Sequence, residues 1–289
     1  MRRRAVIAGC CLTLGLASGC VGARLRREKA AEATASSPGR EELSQAATAA
    51  MDRGDYPQAR ADLERLLVQS PRSAELHCRL GKVLQALGEL PAAGDAFRKA
   101  LALEPQYVGA LVGLGQIDAR LDRPREALRL FDKATELAPH RPEAHFARGQ
   151  ALEALGRTGE ALAAYFRCLE LDPASSTAMV RVASLQRDRG QAEQALVRLD
   201  QATELSPEDP EVRFQRGLTQ LALNHTKPAI ADLAFAADRT PDRADVLLGL
   251  ARAFQADRQP VLARQAADRA LRAQPDSPIA REARERLQR

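Results

Sequence analysis

Pro71, Pro105, Pro139, Pro173, Pro207, Pro241 and Pro275 stand at one constant interval along the chain, with no insertion or deletion between them. A fixed period of this length, about 34 residues, means that one short unit is copied along the chain and that each copy buries its apolar face against its neighbours. Composition says what the unit is made of. Aromatic residues are 3% and Trp is absent while hydrophobic residues reach 45%, so the interior must be Ala and Leu, which suits close-packed helices. Blocks opened at Arg40, Ala74, Val108, Pro142, Ser176, Pro210 and Ala244 bring the rest of the pattern into register. Gly54, Gly88, Gly156 and Gly190 then share one place in the block, where the backbone of a tight turn between two helices passes through the left-handed region. Asp122 and Asn224 are acceptable there; Arg258 is not, which predicts a looser turn in the seventh block. The prolines stop each second helix, because the ring removes a donor and clashes with the preceding turn.

In this register Leu80-Gly81 and Leu114-Gly115 fall in the first helix, and the pairs Ala93/Phe97, Ala127/Phe131 and Ala161/Tyr165 in the second. These residues and the period resemble the tetratricopeptide repeat (TPR) family. The family tryptophan is missing throughout, the first block has Ala46-Ala47 for Leu-Gly, and the seventh has Leu250-Ala251. The resemblance implies an all-α, right-handed α-solenoid of seven helix-turn-helix repeats over residues 40–277. Residues 278–289, short, Arg-rich and helical in pattern with Pro278 at a first-turn position, are expected to form a helix that caps the last repeat.

The N-terminus reads as an address. Arg2, Arg3 and Arg4 precede an apolar run from Ala5 to Ala17 and then small residues ending at Cys20, the pattern of an export signal. The run is shorter than the roughly 20 residues a membrane-crossing helix needs. Leu16-Ala17-Ser18-Gly19-Cys20 resembles the lipobox of bacterial lipoproteins, although Ala17 stands where the family prefers Leu. Ile7-Ala8-Gly9-Cys10 also fits, but only Ala5 and Val6 separate it from the arginines. The resemblance implies a signal peptide over residues 1–19, lipidation at Cys20, and a flexible tether over residues 20–39. The basic cluster Arg24 to Lys29 in that tether either sits near anionic head groups or is simply solvated.

Charge and motifs exclude several roles. The net charge is +5, but the arginines and lysine up to Arg40 hold the excess, and the chain from Glu41 onward carries a net −1. A body without positive charge lacks the term that supplies most non-specific nucleic-acid affinity, so no nucleic acid is expected as partner. No Gly-rich phosphate loop, CxxC or HExxH occurs. His140 and His145 lie five apart across an inter-repeat turn, and His77 and His225 stand alone, which is poor metal geometry. Cys78 and Cys168, the only cysteines of the body, stand 90 residues apart and are not expected to form a disulfide; Cys168 falls where other blocks carry Ala and reads as a small buried residue. Neither cofactor, metal, small-molecule substrate nor enzymatic activity is expected.

Binding remains. By the family resemblance, first helices line a concave groove and the fifth residue of each block faces it: Ser44, Cys78, Val112, Phe146, Val180, Phe214 and Leu248. Val112, Phe146, Val180, Phe214 and Leu248 are the candidate contacts for an apolar protein or peptide segment; the alternative is that they pack within or between repeats. Glu41, Glu75, Glu143, Glu211 and Asp245 form an acidic column at the second position, which the helix dipole accounts for by itself. The carboxylate clamp of chaperone-binding TPR proteins is excluded, because the only Asn is Asn224, in a turn. The expected function is a lipid-anchored scaffold of the bacterial envelope, on the periplasmic face of the outer membrane, since Val21 rather than Asp follows Cys20. The rivals are a cytoplasmic adaptor and a non-catalytic subunit of an enzyme complex.

Overall fold

A computed structural model describes residues 39–287, and these residues contain helices and turns and no strand. The expected signal peptide, Cys20 and the expected tether up to residue 38 lie outside the described residues. The helices follow the blocks: α1 (Arg40–Asp52), α2 (Tyr56–Gln69), α3 (Ala74–Ala86), α4 (Leu90–Leu103), α5 (Val108–Arg120), α6 (Pro124–Leu137), α7 (Pro142–Ala154), α8 (Thr158–Leu171), α9 (Ser176–Asp188), α10 (Ala192–Leu205), α11 (Pro210–Ala222), α12 (Thr226–Arg239), α13 (Ala244–Ala256), α14 (Pro260–Ala273) and α15 (Pro278–Arg286). The chain divides into two compact units between Leu103 and Glu104. The first holds α1 to α4 and the second α5 to α15.

Each helix starts and stops for local reasons. Ser73, Ser175, Asp209 and Ser277 each accept a backbone N–H of the first turn that follows, satisfying donors that have no partner inside the helix. Between the two helices of every repeat a backbone N–H closes back onto the carbonyl five residues earlier, from Asp55 to Ala50 at 2.8 Å in the first repeat through Gln259 to Phe254 at 2.8 Å in the seventh. That closure needs one residue at positive φ. Gly54, Gly88, Gly156 and Gly190 supply it without strain, and Asp122, Asn224 and Arg258 supply it at φ 57°, 60° and 58°. The seventh turn is therefore as tight as the others. The looser turn expected from Arg258 is not found, because the closing hydrogen bond and the packing of α13 on α14 hold that residue in the left-handed region.

The two helices of a repeat meet where the first carries Gly or Ala and the second a large residue. A Cβ at Gly81 would stand 2.7 Å from the Phe97 ring, at Gly115 2.5 Å from Phe131, and at Gly149 2.5 Å from Tyr165. Where the first helix has Ala instead, at Ala47, Ala183 and Ala251, the facing residue is smaller: Leu63, Leu199 and Ala267. The fourth of the glycine pairings, Gly217 against Leu233, is also tight, at 2.7 Å. Across the first five repeats the summed volume of the pair is thus roughly conserved, as dense packing requires, while the sixth and seventh carry the smaller pairs Gly217 with Leu233 and Ala251 with Ala267.

Chemistry along the array repeats in every second block rather than in every block. At the fourth place of the block, His77, His145, Arg213 and Arg281 each reach the carbonyl of the proline six residues upstream, at 3.0, 3.0, 3.1 and 3.3 Å. The intervening blocks carry buried Leu43, Leu111, Met179 and Leu247 at that place. In the second unit the seventh place of alternate blocks is Arg, tied to the preceding second helix by Arg148–Asp132 at 2.6 Å, Arg216–Asp200 at 3.3 Å and Arg284–Asp268 at 2.8 Å. α15 carries the last of these pairs and buries Ala280, so it docks on α13 and α14 as the first helix of a further block would. The Leu287 carbonyl also accepts from Arg264 Nε at 2.6 Å.

Candidate partner-binding face

The first helices pack on their second helices with one side and leave the other open. In the second unit they also touch one another: α5 meets α7, α9 meets α11, α11 meets α13 and α13 meets α15. The open side therefore carries the second, ninth and thirteenth places of each block, whereas the fifth place falls at the seam between neighbouring first helices.

That seam decides the fate of the five candidate residues. Val112, Phe146 and Leu248 are half-buried. Phe146 leans on Tyr165, ring centroids 5.5 Å apart at 49°. Val180 is 7% exposed and packs with Met179, Ala183 and Leu199; Phe214 is 5% exposed and packs with Leu233, Leu247 and Leu250. The expectation that Phe214 and Val180 stand as open contact residues is corrected by this geometry. Their side chains are spent on the seam, because α9, α11 and α13 approach closely enough to cover them. Cys78 is likewise buried, and Cys168 lies in the α8 interior, where burial pushes its thiol up; neither forms a disulfide.

Polar groups on this side are largely paired. Arg243, just before α13, donates to Glu211 and to Asp245 at 2.6 Å each and lies over the Phe214 ring at 5.0 Å. Its hydrogen bond is the chief reason that the Asp245 carboxyl titrates below its ordinary 3.8. Two members of the acidic column, in neighbouring blocks, are thus clasped by one arginine at the junction between them, beyond any helix-dipole effect. On α7, Glu153 accepts the Tyr165 hydroxyl at 2.7 Å, and burial is the main cause that pushes the Tyr165 hydroxyl far up. Away from this side, Asp232 on α12 is buried and takes Arg216 at 2.6 Å and Arg213 at 2.9 Å. A buried carboxylate held this way is structural, since removing either partner would strand a charge.

One cleft opens on the first-helix side of the second unit. It has a volume of about 400 Å³ and lies among α11, α13 and α15, lined by Phe214, Leu218, Leu248, Gly249, Arg252 and Ile279. Phe214, though 5% exposed, and half-buried Leu248 both line it. Two of the five fifth-place residues are therefore brought to one cavity, while Val112, Phe146 and Val180 belong to seams elsewhere. Sequence reasoning missed Leu218, Arg252 and Ile279. The ninth-place spacing of Leu218 and Arg252 marks them as neighbours of the fifth place on a helix face, but Ile279 is readable only once α15 is known to complete the wall. Among the described residues no three His, Cys, Asp or Glu converge to hold a metal, and no helix is long and apolar enough to cross a membrane.

Comparison with known proteins agrees with this architecture. A family model described as tetratricopeptide repeat matches residues 44–108, 112–176 and 214–278, and one described as TPR repeat matches residues 184–224. No match was found among curated protein sequences. Among solved structures, a chain of the APC/C hetero-tetramer Cut9-Hcn1 superposes with a TM-score of 0.77 at 16% identity, over 84% of this chain. This chain spans about half of that one, 48%. The pilF protein of Pseudomonas aeruginosa gives 0.65 at 18% identity over 74% of this chain and 96% of its own. PilW, described as a type IV pilus biogenesis factor, gives 0.63 at 23% over 72% and 96%. At these identities the likeness is one of fold. The helix pairs, their turns and their glycine–aromatic packing agree with the family model, which matches most of the length, and the chain belongs to the tetratricopeptide repeat family.

Proposed function

We propose that this protein is a non-catalytic scaffold, anchored by lipid on Cys20 in the bacterial envelope, that holds protein or peptide partners on its first-helix face during assembly of an envelope complex. The observation that carries the scaffold reading is the open side of the first helices, apolar along its seams and ending in a cleft lined by Phe214, Leu218, Leu248 and Ile279. A partner segment laid there would bury apolar surface and be positioned by charged groups at the rim. The envelope reading rests on Arg2 to Arg4, the apolar run to Ala17 and the small residues before Cys20. It is supported by the likeness in fold to pilF and to PilW, the latter described as a pilus biogenesis factor, both matched over nearly their full length.

The test of the anchor is metabolic labelling with radioactive palmitate in a bacterial host. The wild type should be labelled and recovered with membranes, and Cys20→Ser should be neither. Label that persists on Cys20→Ser would reject Cys20, and an unlabelled wild type recovered with cytosol would favour a cytoplasmic adaptor. Crosslinking in intact cells followed by mass spectrometry would then name the partner.

A further inference from the structure

We propose that the cleft among α11, α13 and α15 receives an apolar segment of a partner protein that carries an acidic side chain, with Arg252 as the group that selects the acid. This rests on the reading of the chain as a peptide-holding scaffold and names the chemistry of what one part of it holds.

The apolar part of the case is the lining. Phe214, Leu218 and Leu248 form one wall and Ile279 the other. Ile279 is 64% exposed on a helix that is otherwise Arg- and Glu-rich. It occupies the second place of its block, where four of the seven preceding blocks carry Glu and the last carries Asp. An apolar residue at that place turns the end of the acidic column into the side of an apolar cleft. Gly249 lies in the lining, and a Cβ there would stand 3.1 Å from Leu233 and 3.3 Å from Leu218, so its absence lets α13 pack closely on α11 and α12 at the floor of the cleft. The volume, about 400 Å³, falls at the small end of the range of about 300–1,000 Å³ usual for ligand clefts. It accommodates a few side chains of a segment and not a folded surface.

The charge part is one of complementarity. Four charged residues line the cleft: Asp245, Arg252, Glu282 and Arg286. Asp245 is neutralised by Arg243 at 2.6 Å, and Glu282 by Arg286 at 2.6 Å. Arg252 is exposed, and its side chain has neither an ion pair nor a hydrogen bond with any described residue. The cleft therefore presents one uncommitted positive charge beside apolar walls. A guanidinium in that setting favours a carboxylate, which it can bind through two parallel N–H donors, and a partner bringing a lysine there would meet repulsion.

The experiment selects dodecapeptides from a phage-displayed random library on the full chain in detergent. The enriched peptides are synthesised with amidated C-termini and titrated by fluorescence anisotropy. The expected peptides combine large apolar residues with Asp or Glu. Arg252→Glu should weaken them by about tenfold or more, as should changing the peptide acid to Lys, and the two changes together should restore binding. Ile279→Arg should also abolish it. Because Arg252 and Ile279 are exposed, circular dichroism should show unchanged folding. Enrichment of neutral or basic apolar peptides, or charge reversal at Arg252 without effect, would overturn the proposal. Dependence on a free C-terminal carboxylate would overturn the assignment to a side chain. Self-association of the chain that is lost in Arg252→Glu would give the cleft to a second copy instead. If peptides are enriched but lose affinity in Gln150→Arg on α7 and not in Arg252→Glu, the scaffold reading stands and this cleft is not its site. If the library yields no binder, both fall.

Discussion

Phe146 and Phe214 hold the same place in two blocks that have one block between them, yet their surroundings differ enough to separate their roles by experiment. Phe214 is covered by α13, lies under the Arg243 guanidinium, and joins the core around Leu233 and Leu247. Phe146 is half-buried and rests an edge on Tyr165. Truncating a fully packed Phe costs about 3–5 kcal/mol, because a cavity is left that neighbours refill only in part. Phe214→Ala should therefore lower the thermal melt about as far as Phe97→Ala, where the ring is completely buried against Gly81. Phe146→Ala should cost roughly half as much, in proportion to the area it hides. Equal melts for Phe146→Ala and Phe214→Ala would contradict the difference in burial. Most surface ion pairs on this chain, such as Arg60–Glu89 at 2.8 Å, contribute little, because solvent screens them. The ladder of Arg213 and Arg216 on Asp232 is an exception, since its carboxylate is out of water and takes two close partners.

At the scale of the element, the seven intra-repeat turns are one device made from different residues. Six of them place Gly, Asp or Asn at positive φ, and the seventh places Arg258 there at 58°. A side chain with a Cβ pays roughly 1–2 kcal/mol in that region, because Cβ crowds the following carbonyl. The packing of α13 against α14 carries that strain. Arg258→Gly should stabilise the protein by about 1 kcal/mol, less the greater freedom glycine has when unfolded, as read from the midpoint of urea denaturation. Gly156→Arg, the reverse change in the fourth repeat, should destabilise by a similar amount. A neutral Arg258→Gly would mean that a contact of the Arg258 side chain offsets its strain. The glycines facing Phe97, Phe131 and Tyr165 work differently: their role is space, which the ring from the second helix of the same repeat fills.

For the whole molecule, stability is expected to be shared among neighbours, because in a repeat array each unit contacts only the next. The end of the second unit is closed by α15, through buried Ala280, the Arg284–Asp268 pair and the Arg264 bond to the Leu287 carbonyl. Deleting residues 278–289 uncovers the apolar faces of α13 and α14. A loss of about 2 kcal/mol is expected, which for a unit of this size lowers the melting temperature by roughly 5 °C, with reduced solubility. An unchanged melt would show that the docking of α15 adds nothing. The same deletion removes one wall of the cleft, so it should also abolish capture of the acidic apolar peptides; Ile279→Arg, which leaves the helix docked, separates the two effects.

The period, the block boundaries and the turn positions were legible in the amino-acid order alone. A repeat with Pro at its end, Gly at its turn and Ala or Gly opposite a large residue satisfies every local requirement of a helix pair, and such requirements are met within one block. What lies between blocks was not legible. Whether Val180 or Phe214 faces solvent depends on how closely the next first helix approaches, and that depends on the combined volumes of side chains far apart in sequence. The Arg148, Arg216 and Arg284 pairs could have been noticed from their recurrence in alternate blocks. The cleft could not, because it exists only where α15 sets Ile279 across from Leu248. Local propensity and spacing determine the helices; burial at a seam is a property of two surfaces, and only their packing decides it.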